Sequence, residues 1–216
     1  ALDKCVEYGV RNILALRGDP PEEGDELSDC PLELGIDLVH YIREKYGDYF
    51  CIWVAGYPET HLEADSPDAD LKHLKEKVDA GADLIITQLF FDNEIFLDFD
   101  ERCREIGITW PVIPGIMPIQ NYGGFNKMTS LCQTKVPKQI MEDLEAVSHD
   151  DKKVKEYGIN LWVKMCNDLI KNGIKYLHFY TINLETAVVE VVNQLGIMRK
   201  DKKLPWKKPS IECRSD

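Results

Sequence analysis

The chain has 216 residues, 44% of them hydrophobic and 30% charged, and a formal net charge of −12, which is enough apolar material for one ordinary globular core. Such an acidic balance excludes a general nucleic-acid or anionic-membrane binder, because attraction to phosphate needs a basic face. The seven cysteines contain no Cys-x-x-Cys pair, which argues against a metal site and a disulfide framework and suits a reducing cytoplasm, and no apolar run is long enough to span a bilayer.

Leu2, Cys5 and Val6 keep helical spacing, so the chain opens in a helix, and with no capping residue ahead of it the start reads as a cut end. Ile13, Leu14, Ala15 and Leu16 follow as a short unbroken apolar run, and residues 12–16 are expected to be a parallel strand covered on both faces. Arg17, Gly18 and Asp19 come directly after it, and Pro20-Pro21 then stops both ladder and helix. A cation and an anion at the carboxyl end of a buried parallel strand stand where α/β proteins place their chemistry, although a solvated turn would use the same residues.

A βα unit then repeats. A helix is expected over 31–46 with Leu34, Leu38, Val39 and Ile42 on its inner stripe, then a strand over 50–55 ended by Gly56-Tyr57-Pro58-Glu59. Ser66-Pro67-Asp68 predicts a helix start, Leu71, Leu74 and Val78 its buried stripe, and Gly81 its end. A strand over 84–87 runs into Gln88, a helix over 93–106 follows, and the next strand covers 111–115. Helices fill the chain to about residue 172, the last with Ile159, Val163, Cys166 and Ile170 inward; a strand over 176–180 and a helix over 185–195 complete the pattern. Every pair of successive strands is joined through helix, which requires a parallel sheet.

Five strands leave two architectures: an open sheet with helices on both faces, or the last five units of a (β/α)8 TIM barrel whose first three strands are missing. The cut start, the polar residue at each strand end and the lack of a Gly-rich phosphate loop favour the incomplete barrel. Residues 1–197 would form this partial domain. Residues 198–216, rich in Lys and Arg around Leu204-Pro205-Trp206, read as a solvated basic tail or linker.

The strand ends carry Arg17 and Asp19, Tyr57 and Glu59, Thr87 and Gln88, Met117, then Tyr180, Thr181 and Asn183, all expected on one rim. The stretches Leu-Ala-Leu-Arg-Gly-Asp-Pro, Ala-Gly-Tyr-Pro-Glu, Ile-Thr-Gln-Leu-Phe-Phe-Asp, Pro-Gly-Ile-Met-Pro-Ile and His-Phe-Tyr-Thr resemble those of the methylenetetrahydrofolate reductase family, in order and from Ala1 to about Gly196. The resemblance implies a (β/α)8 barrel with FAD at its rim and NAD(P)H as co-substrate. It implies reduction of 5,10-methylenetetrahydrofolate to 5-methyltetrahydrofolate, a cytoplasmic homo-oligomer when complete, and no nucleic-acid or membrane partner.

Residue by residue, it puts Arg17, Gly18 and Asp19 beside flavin and pterin, with Asp19 as the catalytic anion. Leu34 and Gly35 match the resting place of the adenine end. Tyr57, His61, Leu62, Glu63, Ala64, Asp70 and Lys77 match cofactor-contacting positions, and Asp70 and Lys77 lie two turns apart on one side of a helix. Lys77 would answer phosphate charge and Asp70 a ribityl hydroxyl. Gln88, Tyr180 and Leu184 match folate-facing positions. Leu184 stands where many members carry arginine, Leu62 replaces a common proline, and the family's general-acid glutamate belongs to a strand with no counterpart here. The fragment is therefore expected to be inactive alone, or, as an alternative, to act without catalysis by pairing with full-length subunits.

Overall fold

The computed structural model describes residues 1–18 and 32–197, which leaves Asp19 and the basic tail outside the described residues. Its sheet has five parallel strands: β1 (Asn12–Ala15), β2 (Cys51–Gly56), β3 (Leu84–Leu89), β4 (Val112–Ile116) and β5 (His178–Phe179). They lie side by side in the order of the sequence, β1-β2-β3-β4-β5. Parallel crossovers are right-handed, so strands laid down in one direction put all their connecting helices on the same face. The sheet curls into a half-barrel with helices on the outside only. An open sheet covered on both faces would need the strand order to reverse.

The helices are α1 (Leu2–Glu7), α2 (Gly35–Tyr46), α3 (Pro67–Asp79), α4 (Asn93–Glu105), α5 (Tyr122–Cys132), α6 (Lys138–Val147), α7 (Asp151–Lys171) and α8 (Thr186–Gln194). Side chains alternate across a strand, and here the alternation divides the core in two. Ile52 and Val54 of β2 join Ile85, Val112 and Ile116 against Val39, Ile42, Leu71, Leu74, Phe96 and Phe99 of the helices. The inward positions Cys51, Leu84 and Ile113, with Trp53 against them, make a small separate cluster.

That division corrects the expectation for the first strand. Leu14 and Leu16 are 43% and 49% exposed, because β1 has helices on one face only. Other departures are local. α2 begins at Gly35, so Leu34 is an exposed N-cap and not part of the inner stripe. In α7 Trp162 and Leu169 are buried while Ile170 is exposed, the stripe having rotated with the 3.6-residue period. Only His178 and Phe179 of the last predicted strand pair with β4. Cys5, Cys103, Cys132 and Cys166 are free thiols.

Two features fix the scaffold beneath the strand ends. Arg43 of α2 donates to the Gly81, Gly47 and Phe50 carbonyls and pairs with the buried Asp83 carboxylate, which also accepts the Ile52 N–H, so one guanidinium ties α2 to the starts of β2 and β3. Gly158 lets α7 lie directly on the segment after β4: a Cβ there would stand 2.7 Å from Ile119 Cβ and 2.8 Å from its carbonyl oxygen. Alanine is the better helix former, yet Gly158→Ala should lower the thermal unfolding midpoint, because overpacking costs about 1–3 kcal/mol and exceeds the helical gain of about 1 kcal/mol. A raised midpoint would show that α7 can shift freely.

Candidate functional site

The carboxyl ends of the strands border two adjoining cavities. The outer one, about 350 Å³, lies between the starts of α2 and α3 and is lined by Leu16, Leu34, Gly35, Glu63, Ala64, Asp70 and Lys77, among others. The inner one, about 410 Å³, opens over the concave face and is lined by Gly18, Gln88, Met117, Met128, Cys132 and Tyr180, among others. Leu16, Arg17, Ala55, Tyr57 and His61 belong to both and form the wall between them.

Local folding explains the outer cavity. Ser66, the N-cap of α3, accepts the Ala69 N–H, and Pro67 takes the first helical position, so the helix starts where its sequence directs. Asp70, one turn in, turns back and accepts the His61 N–H at 3.0 Å. His61 Nδ1 accepts the Glu63 N–H at 3.1 Å, which leaves the proton on Nε2. The imidazole packs edge-on to Tyr57 with ring centroids 4.6 Å apart. At its other end this loop is pinned by Glu59, whose Oε2 accepts the Lys135 N–H at 2.7 Å. Gly35 brings the start of α2 against the end of β1: a Cβ there would sit 3.4 Å from the Ala15 carbonyl oxygen.

Charge is placed unevenly. Arg17 and Glu63 form a two-pronged ion pair at 2.7 and 2.9 Å across the mouth, and the guanidinium holds the Glu63 carboxyl below its ordinary value. At this exposure solvent screens the pair, so its effect is positional. Lys77 is different. Its ammonium donates to the Ala55 carbonyl at 2.8 Å and lies 5.9 Å from the Tyr57 ring centroid, and no described carboxylate closes an ion pair with it. Burial pushes its pKa below the usual lysine range, opposed by Asp70. Burial also raises the Tyr57 phenol, with a further push from Asp70 and a counter-pull from Arg17. Among the described residues this half-buried cation bonds to a carbonyl alone, which makes it a ready partner for an anion.

Most of the sequence-predicted residues therefore meet at one place. Leu62 does not: it is 58% exposed and lines neither cavity. Leu184 is 50% exposed, accepts a hydrogen bond from Gln120 on its carbonyl and lines neither cavity. Asp19 lies outside the described residues, one position beyond Gly18. Sequence reasoning missed His73 and Glu76, which line the outer cavity. For His73 the signal was present, since it lies three residues after Asp70 and four before Lys77, on the same helical face. Among the described residues, no helix is long and apolar enough to cross a membrane.

Comparison with known proteins comes to the same region of sequence. The family model described as methylenetetrahydrofolate reductase matches residues 1–196. A rice protein named probable methylenetetrahydrofolate reductase (NADH) is 48% identical over 224 residues, covering 97% of this chain and 38% of the rice protein. A Caenorhabditis elegans relative, named a probable NADPH form, is 46% identical across 98% of this chain and 33% of its own length. The 5,10-methylenetetrahydrofolate reductase of Pectobacterium carotovorum is 39% identical over 88% of this chain and 62% of itself. This chain thus spans about a third of the length of the eukaryotic relatives. Among solved structures, a Clostridium thermocellum protein described as binding two copies of 5-methyl-5,6,7,8-tetrahydrofolic acid has the same fold, with a TM-score of 0.53 at 14% identity over 82% of this chain and 66% of that one.

Proposed function

The chain belongs to the methylenetetrahydrofolate reductase family, and from that premise we propose that it is the folate- and flavin-facing portion of a (β/α)8 catalytic barrel that reduces 5,10-methylenetetrahydrofolate with NAD(P)H. The observation that carries this reading is the pair of adjoining cavities, one bordered by a half-buried cation with no carboxylate partner among the described residues, the other by an amide and a tyrosine ring, with a shared wall of Arg17, Tyr57 and His61. A long cofactor with an anionic middle and a flat reactive end suits that shape.

FAD suits these residues, and when bound it would supply hydride transfer between nucleotide and folate. Lys77 would meet its phosphate charge, with Asp70 offering the carboxylate oxygen that His61 does not occupy to a hydroxyl. Gly35 allows close approach at the start of α2. The Arg17–Glu63 pair and the Tyr57–His61 pair border the passage between the cavities. Gln88 and Tyr180 would hold the pterin. Opening of the folate methylene bridge develops positive charge at N5, and Asp19, following Gly18 at the end of β1, would stabilise it.

Eight strands would also explain the exposed concave face. Leu14, Leu16 and the Trp53 cluster would then face the interior of a closed barrel and be covered by three further strands. We place the complete protein in the cytoplasm as a homo-oligomer with folate and nucleotide as its partners. The test is to purify the complete protein that carries this chain, record flavin absorbance near about 450 nm, and assay NAD(P)H-driven conversion of 5,10-methylenetetrahydrofolate. Yellow, active protein is the expected result; a colourless protein that takes up no FAD overturns the reading. Residues 1–216 expressed alone should bind hydrophobic dyes and show no conversion, since the concave face stays open. A soluble, active 216-residue chain would overturn the incomplete-barrel reading.

A further inference from the structure

We propose that Thr87 and Gly115 are positioning residues of the inner cavity, holding the Gln88 side chain so that its NH2 group faces a bound ligand; this rests on the folate reading above. The ladder between β3 and β4 is broken at this point. Ile86 pairs with Ile113 but Leu89 pairs with Gly115, so β3 takes three steps where β4 takes two. Such a bulge re-aims the extra residue's side chain and interrupts the backbone hydrogen bonds around it. Buried backbone donors need partners, and here side chains supply them.

Thr87, fully buried, accepts the Gly115 N–H on Oγ1 at 3.0 Å. Gln88 Oε1 accepts the N–H of Leu89 at 2.9 Å. Tyr180 reaches over from the end of β5 and donates its hydroxyl to the Thr87 carbonyl at 2.9 Å. Gly115 makes that reach possible. A Cβ at this position would overlap the Thr87 carbonyl oxygen and stand 2.7 Å from Tyr180 Cε2. The bulge, the glycine and the tyrosine therefore form one interlocked unit across three strands.

The unit limits what the cavity can recognise. Because an N–H needs an acceptor, the Leu89 amide fixes which end of the Gln88 side chain carries oxygen and takes one of that oxygen's two lone pairs. The NH2 group remains as the donor. The Tyr180 hydroxyl is committed to backbone, and burial pushes its pKa up to about 12, so the residue offers its ring and not a proton. The ligand must present a flat ring to Tyr180 and an acceptor to Gln88. A pterin has donor and acceptor edges, and this arrangement selects the acceptor edge.

The test uses the complete FAD-loaded protein that carries this chain, with 5-methyltetrahydrofolate as the probe. Thr87→Val keeps the shape but removes the acceptor for the Gly115 N–H. It should weaken equilibrium binding of the probe about tenfold and raise the KM for the folate substrate, with FAD reduction by NAD(P)H changed less than twofold. Thr87→Ser, which restores the acceptor, should bring affinity back to within about twofold of wild type. Gly115→Ala should act in the same direction as Thr87→Val. Because the two residues act through Gln88, Thr87→Val should add little to the loss already caused by Gln88→Ala, whereas a merely structural effect would add to it in full. Wild-type affinity in Thr87→Val, or full additivity with Gln88→Ala, overturns the positioning role while leaving the folate reading intact. Failure of the wild-type protein to bind the probe overturns the folate reading and the positioning role together.

Discussion

Asp19→Asn is expected to slow reduction of the folate by about 100-fold while leaving reduction of FAD by the nucleotide within a few-fold of wild type. The motif places the carboxylate directly after Arg17 and Gly18, and the described chain reaches the inner cavity at Gly18. Only the folate half-reaction develops a localised positive charge, at N5 as the methylene bridge opens, so an anion fixed nearby lowers that barrier selectively. Asparagine has the same shape without the charge, so the substitution isolates electrostatics from packing. Stopped-flow measurement of the two half-reactions gives the answer directly. Equal slowing of both would mean that Asp19 shapes the site and does not stabilise the reaction's charge.

Replacing Lys77 by methionine should weaken FAD retention by roughly 10- to 100-fold, the worth of a charge-assisted hydrogen bond, while leaving the cofactor-free protein at least as stable as wild type. The second half follows from the geometry: the ammonium is desolvated and, among the described residues, bonded only to the Ala55 carbonyl, so without an anionic ligand its charge costs stability. The pH dependence has a definite sign. The folded-state pKa of Lys77 is depressed below its unfolded value of 10.5. The unfolded chain therefore binds the proton more tightly, and the stability of the cofactor-free protein rises as pH climbs through the folded pKa toward 10.5. The stability advantage of Lys77→Met over wild type should accordingly be largest near neutral pH and shrink in alkali. Thermal melts of both proteins from neutral to alkaline pH, with flavin release followed by fluorescence, test both parts. Unchanged release on dilution would mean that Lys77 does not hold the cofactor.

Sequence alone determined the succession of βα units, because the inward and outward faces of these strands and helices leave regular apolar spacing: Leu71, Leu74 and Val78 mark one face of α3, and Ser66-Pro67 marks its start through capping chemistry that is entirely local. It also singled out most residues around the two cavities, since strand-end positions follow from the strand boundaries and the stretches quoted above are specific. What it could not show was decided by contacts between distant segments. Leu14 and Leu16 read as buried and are half exposed, because burial depends on what covers the other face of the sheet and not on the run itself. Glu63 gave no sign of its pairing with Arg17, 46 residues away, and Leu62 and Leu184 gave no sign that they line neither cavity. The slip between β3 and β4 is visible only once the strands are side by side. Register is a relation between two segments, and Gly115 acquires its purpose from the Thr87 carbonyl and the Tyr180 ring that tertiary structure brings to within a Cβ's reach of it.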